Sequence, residues 1–238
     1  MDPTGSYLLS PDLGADLIRI YAINRSTGKL TACPSYTAEA GSGPRHAAFW
    51  TAPNGSTSVG GGSLRATKQP LTVLYLASEL TNSVSALEFS YLTGGYSGCP
   101  TLRKIQSLSS YPPSHPAPVP APQIGEIVVK GNVVYVTNRN DDSFGPGLDS
   151  LVTYAIDAST GSLKLQEFQS STEEWPRTLV VSPKGDLIVV GGQVSSEVAV
   201  LKRDVKTGAV GEVLAKVSTG VRGDTYGNGG MSSVIWGE

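Results

Sequence analysis

Four stretches of this chain repeat one another, and that self-similarity narrows the possible folds more than any other feature. The first is PTGSYLLSPDLGADLIRIYAINRSTGKL, from Pro3. The second opens with PNG at Pro53 and continues, after an insertion, as LTVLYLASELTNSVSALEF. The third is KGNVVYVTNRNDDSFGPGLDSLVTYAIDASTGSL, from Lys130. The fourth is PKGDLIVVGGQVSSEVAVLKRDVKTGAV, from Pro183. Each runs through a Gly turn, a strand-like run, a polar turn and an alternating strand. Three of the four end in Ser/Lys-Thr-Gly, and Gly5 to Gly28 and Gly185 to Gly208 are each 23 positions apart. The apolar runs are rich in Val, Ile, Leu and Tyr and bounded by Gly, Asn, Asp and Pro, the pattern of strands joined by hairpins. Helical periodicity over ten or more residues is not evident. The separations from Gly5 to Gly55 (50 positions) and from Gly131 to Gly185 (54 positions) suit a four-stranded propeller blade. The expected fold is all-β: a β-propeller of four-stranded antiparallel blades, about four to five of them. It forms a single partial domain over 1–238 with repeats starting near 3, 44, 123 and 176. Two insertions, 54–70 (Gly/Ser-rich) and 111–123 (Pro-rich), read as loops; His115 lies in the second as a solvated residue.

Composition removes several classes of function. With 28 Gly, 16 Pro and only 16% charged residues, the chain is turn-rich, unlike a helical bundle or a disordered tail. Its net charge is −2 and no basic stripe is visible, which argues against nucleic acid and membrane as partners. No apolar run approaches the ~20 residues that span a bilayer. The opening MDPTGSYLLS has neither a basic segment nor a long apolar one, so a cytoplasmic protein is expected. Cys33 and Cys99 form no C-x-x-C pair and no Cys/His cluster with metal spacing; they read as buried or loop thiols rather than a disulfide, and no metal or other cofactor is expected. Asn24-Arg25-Ser26 and Asn54-Gly55-Ser56 fit the glycosylation pattern, which matters only in a secreted protein.

Candidate site residues follow from strand parity. In an up-and-down blade the start of the first strand and the end of the second lie at the same end. Pro44-Arg45-His46 and Pro176-Arg177 each open a first strand. Aligning the repeats puts Asp12, Glu79, Arg139 and Gln193 in one column, each just past a second strand. Both sets are expected on one face, near the mouth of the central channel. Arginine offers a planar fork of donors to carboxylate or phosphate, and Glu or His can pass protons. For Asp12 and Gln193 a turn-closing role is preferred, for Glu79 and Arg139 a functional one. Arg177 could equally pair between blades.

GSGPRHAAF, YLASELTNSV, VVYVTNRNDDS and PRTLVVSPKGDLIVVGGQVSSEVAV together resemble the 6-phosphogluconolactonase-type propeller lactonases, a group that includes the fungal carboxy-cis,cis-muconate cyclases. The resemblance implies a seven-bladed propeller without an essential metal, acting on a lactone ring by opening it with water or closing it from a muconate. It implies a site of a histidine, two arginines and a glutamate. By motif Arg45, Glu79 and Arg139 take three of those places. The site histidine of the family precedes the DPTG turn; the chain opens at Met1-Asp2, and His46 occupies a different position. Four repeats fall about three blades short of seven, so the chain resembles the C-terminal part of a family member: a fragment, a shortened gene product or a divergent one.

The expected activity is hydrolysis of the lactone of an anionic sugar acid such as 6-phosphogluconolactone. Muconate lactonisation and a non-catalytic propeller scaffold are the alternatives. Glu79, Arg45 and Arg139 are the expected catalytic residues; His46, Arg177, Gln193 and Asp12 are the expected substrate-binding ones. The expected partner is a small anionic lactone or muconate-like molecule, with self-association through exposed blade faces as a further expectation.

Overall fold

The computed structural model of the chain describes residues 1–53, 70–91, 98–118, 122–224 and 229–237. Among them the regular elements are strands, apart from one short 3-10 turn at Leu13–Ala15. The first sheet holds β1 (Tyr7–Asp12), β2 (Leu17–Ile23) and β3 (Leu30–Thr37). The second holds β4 (Pro44–Thr51), β5 (Thr72–Ser78), β6 (Ser83–Ser90) and β7 (Thr101–Ser109). The third holds β8 (Gln123–Lys130), β9 (Val133–Arg139), β10 (Ser150–Ile156) and β11 (Leu163–Ser170). The fourth holds β12 (Pro176–Val181), β13 (Leu187–Gly192), β14 (Glu197–Arg203) and β15 (Val210–Ser218). In each sheet spatial order follows chain order.

The second, third and fourth sheets begin at Pro44, Gln123 and Pro176. The repeat near 3 gives three strands, and β1 is the counterpart of β5, β9 and β13, the second strands. Residues 231–237 carry no strand. The insertion at 54–69, the second glycosylation triplet and residues 119–121 lie outside the described residues. The chain divides into two compact units, one formed by 1–108 with the hairpin 156–163, the other by 109–155 with 164–238.

The repeated Thr-Gly turns have one cause. Asn24 Oδ1 accepts the backbone N–H groups of Ser26 and Thr27 at 3.0 and 3.1 Å. Asp157 does the same for Ser159 and Thr160, and Asp204 for Lys206 and Thr207. The side chain closes the turn and the glycine four residues on supplies the left-handed backbone, with φ of 70°, 72° and 78°. Two of these glycines are also packing positions. Gly161 accepts the Tyr75 hydroxyl at 2.9 Å in the first unit, and Gly208 the Tyr135 hydroxyl at 2.7 Å in the second. A Cβ on either would lie 2.5 Å from Val73 or Val133. One tyrosine in the middle of a second strand and one glycine in a hairpin therefore form a matched contact twice.

Each unit has its own apolar core. In the first, Ile18, Leu74, Leu76 and Leu87 are buried, with Leu9, Phe49 and Leu102 against them. In the second, Val133, Tyr135, Leu151, Leu179, Ile188, Val190, Ala199, Leu201 and Val210 form the cluster. Alternating strand residues supply these, as period-two patterning requires.

Candidate functional site

The two Pro-Arg motifs are β-bulges. In the pairing of β4 with β5, Pro44 lies opposite Ser78 and His46 opposite Ala77, so Arg45 is the extra residue. In the pairing of β12 with β13, Pro176 lies opposite Gly192 and Thr178 opposite Gly191, so Arg177 is the extra residue. A bulge breaks the in–out alternation and re-aims one side chain. Proline suits the position before it, where the strand is only beginning. Recurrence of Pro-Arg is thus recurrence of a device that turns an arginine out of the ladder.

In the first unit the turned-out arginine meets Glu79. Arg45 Nη1 donates to Glu79 Oε2 at 2.7 Å, with side chains 15% and 10% exposed. The approach is fixed from the backbone. Asp16 accepts the N–H groups of Gly41 (2.7 Å) and Gly43 (2.9 Å), bonds that hold its carboxyl below the usual range. Glu79 N–H donates to the Gly43 carbonyl at 2.8 Å and Leu80 N–H to that of Ser42 at 3.1 Å. The Gly-Ser-Gly-Pro turn and the end of β5 are thereby stitched together, and Arg45 and Glu79 leave adjacent points. His46 sits half-buried on β4. Asp12 accepts the Ala15 N–H at 3.2 Å and pairs with Arg19 at 2.7 Å.

In the second unit Arg139 and Arg177 each donate to a glutamine side chain. Arg139 Nη2 donates to Gln123 Oε1 at 3.3 Å and to the Ile124 carbonyl at 3.1 Å. Arg177 Nη1 donates to Gln193 Oε1 at 3.2 Å. Gln193 is buried, and here the turn-closing expectation needs amending: its backbone N–H closes onto the Trp175 carbonyl at 2.9 Å while its side chain holds Arg177. Arg139 is only 3% exposed, and its guanidinium carbon lies 5.6 Å from the centre of the Trp175 ring.

Several residues of this region carry no signal in the sequence pattern. Asp149, buried, accepts the N–H groups of Asn140, Asp141, Asp142 and Trp175 at 2.7–2.9 Å, tying the chain beyond Arg139 to the entry of β12. Asp141 accepts the Tyr111 hydroxyl at 2.8 Å and that of Ser150; burial pushes the Asp141 carboxyl up, and the Tyr111 phenol up as well. Glu173 is fully buried, with the Ser195 hydroxyl at 2.5 Å and Lys216 Nζ at 3.4 Å. Burial raises its carboxyl above the ordinary value of 4.5, and the Ser195 bond and the Lys216 charge pull back only part of that.

One expectation is overturned. Cys33 and Cys99 form a disulfide, with Cα atoms 5.6 Å apart. Cys33 lies on β3 and Cys99 just before β7; close by, the Tyr7 hydroxyl donates to the Gly98 carbonyl at 2.8 Å. Folding of the first unit brings together two thiols 66 positions apart, a proximity no spacing rule reveals. Among the described residues no group of three or more His, Cys, Asp or Glu is placed to hold a metal, and no helix is long and apolar enough to cross a membrane.

The family model described as "Lactonase, 7-bladed beta-propeller" matches residues 1–223. The chain belongs to this lactonase family. Its relatives include a probable 6-phosphogluconolactonase of Arthroderma benhamiae, 33% identical over 211 residues, covering 88% of this chain and 47% of the relative. The 6-phosphogluconolactonase of Bacillus subtilis is 28% identical over 206 residues, covering 87% and 49%. Among solved structures, the periplasmic gluconolactonase of Pseudomonas aeruginosa superposes with a TM-score of 0.69 at 28% identity, covering 94% of this chain and 54% of that one. The chain spans about half the length of the curated relatives it matches.

Proposed function

We propose that this lactonase-family chain acts in the hydrolysis of a sugar-acid lactone, with Glu79 as the proton-accepting group and Arg45 as its partner. The observation that carries this reading is the Arg45–Glu79 pair: a bulged arginine 2.7 Å from a carboxylate, both withdrawn from bulk water but still reachable. Lactone opening needs a base to take a proton from water as it attacks the ring carbonyl, and a cation to balance the charge that develops on oxygen. A carboxylate and a guanidinium in contact supply both. Relatives named 6-phosphogluconolactonase support a phosphorylated sugar lactone as one candidate.

The test is hydrolysis of the δ-lactones of gluconate and 6-phosphogluconate by the purified chain and by Glu79→Gln. The variant is expected to lose about 100-fold or more in turnover, the usual scale for a general base, while melting within a few degrees of the parent. Retained turnover removes Glu79 from the reaction.

The disulfide favours a second refinement. Such bonds persist in oxidising compartments and are rare in the cytosol, so an exported location is proposed in place of a cytoplasmic one. That would align the chain with the neighbour titled a periplasmic gluconolactonase and favour an unphosphorylated lactone. Mass spectrometry of the protein from its native host, alkylated before reduction, decides: two free thiols would return the chain to a reducing compartment.

A further inference from the structure

Trp175 adopts a backbone that local sequence rules argue against. Its φ is +59°, in the left-handed region where bulky residues are strained. It also precedes Pro176, and residues before proline are driven to extended conformations. Three residues earlier, Thr172 is left-handed too, at +70°. Strain of this kind persists only where the surroundings enforce it. Here two bonds do: Trp175 N–H donates to Asp149 at 2.7 Å, and its carbonyl accepts the Gln193 N–H at 2.9 Å. The same Asp149 binds the three N–H groups that follow Arg139. One buried carboxylate therefore fixes both members of the Arg139–Trp175 stack.

The stack has a buried side and a reachable side. Arg139 is 3% exposed, anchored by Gln123 and the Ile124 carbonyl; Trp175 is half-buried, with part of its surface open. Two residues on, the bulged Arg177 is also half-buried, held by an amide rather than a carboxylate. A ligand approaching this end of the second unit meets indole before it meets the Arg139 guanidinium. A flat aromatic face two residues from a partly exposed cation suits a small ring that bears or develops negative charge.

We propose that Trp175 is a specificity-determining residue that seats the ring of the lactone on its indole, with Arg139 as the positioning residue behind it. This rests on the lactone reading above and reassigns Arg139, expected to be catalytic, to a role exercised through Trp175.

The experiment is a titration with D-glucono-1,5-lactam, a ring analogue that does not hydrolyse, with open-chain gluconate as control. Affinity is read by calorimetry and tryptophan emission, and folding by thermal melts. The parent chain is expected to bind the lactam with a change in emission. Trp175→Phe, which keeps an aromatic face, should bind within about threefold but lose the emission change. Trp175→Leu should bind the lactam about tenfold more weakly, the scale of one stacking contact, with gluconate affinity unchanged. Arg139→Gln should weaken lactam binding, and adding Trp175→Leu to it should cost little more, because both act through one contact. An emission change that survives in Trp175→Phe arises from Trp50 or Trp236 and overturns the proposal, even if Trp175→Leu does not fold. Wild-type lactam affinity in Trp175→Leu overturns it too, and full additivity with Arg139→Gln overturns the role given to Arg139. A parent chain that hydrolyses lactones but does not bind the lactam sinks the ring seat alone; one that neither binds nor hydrolyses them sinks the lactone reading and this proposal together.

Discussion

The two compact units bridge the same pair of strand ends with different acceptors. In the second sheet, the start of the first strand and the end of the second are bridged by Arg45 and Glu79, a charge pair. In the third and fourth sheets the same bridge is built from arginine and glutamine: Arg139 with Gln123, Arg177 with Gln193. The geometry is conserved within the molecule while the acceptor changes from carboxylate to amide. A carboxylate partner cancels the guanidinium charge and can take up a proton. At Arg177 an amide partner orients the guanidinium as well without itself supplying a countercharge. The units differ also in how they are held. A disulfide ties the first, while buried carboxylates collect N–H and O–H donors in both, Asp2 in the first and Asp141, Asp149 and Glu173 in the second.

The covalent difference has the largest expected effect. Replacing both Cys33 and Cys99 by serine opens a loop of 66 positions and is expected to cost about 4 kcal/mol from unfolded-chain entropy. That corresponds to a fall in melting temperature on the order of 10 °C for a chain of this size. Amide exchange should locate the loss in residues 1–108. Uniform loss across both units would mean that they do not differ in what holds them.

Arg45→Gln and Arg177→Gln compare the two kinds of bridge directly. The first removes the cation beside a mostly buried Glu79 carboxylate and is expected to destabilise by about 2 kcal/mol, between the surface and fully buried limits for broken ion pairs. The second leaves only amides and is expected to cost under about 1 kcal/mol. Equal losses in urea melts would erase the distinction. Gln193→Glu goes further by giving the fourth sheet the acceptor of the second. Stability is expected to change little, but affinity for an anionic lactone should fall about tenfold, or ~1.4 kcal/mol, with neutral lactones unaffected.

The smallest effect is a pH dependence specific to the second unit. Burial raises the Glu173 carboxyl in the folded chain above 4.5. The folded state therefore binds this proton more tightly than the unfolded one. The contribution to stability is complete below the unfolded value and is lost as pH rises through the raised folded value. Glu173→Gln removes the titration, so its stability relative to the parent should climb with pH across that window. A constant difference from pH 4 upward would show that Glu173 does not titrate there.

How far the site could be read from the sequence follows from how local its causes are. Arg45 and Glu79 were legible because both sit at strand ends, where hairpin parity fixes the side of the sheet. Pro-Arg marks the openings of β4 and β12, but nothing in the motif shows that the arginine is bulged out of the ladder. Trp175 was not legible: its place before proline points to extended backbone, and only Asp149 and Gln193 hold it elsewhere. Glu173 and Glu174 are adjacent and read alike, yet the first is fully buried and the second half-exposed. Nothing in their spacing separates them. Arg139 was found by its column, but its burial behind the indole was not.

By itself the sequence determined the repeat: strands of period two, hairpins closed by Asn or Asp four residues before Gly, and which strand ends share a side. These follow from hydrogen bonds and dihedral limits within a few residues of chain. The tertiary structure decided which thiols join, which carboxylates lose water, and which acceptor faces each arginine. Those outcomes depend on groups tens of residues apart becoming neighbours, and the desolvation and charge pairing that result exist only once the sheets have packed.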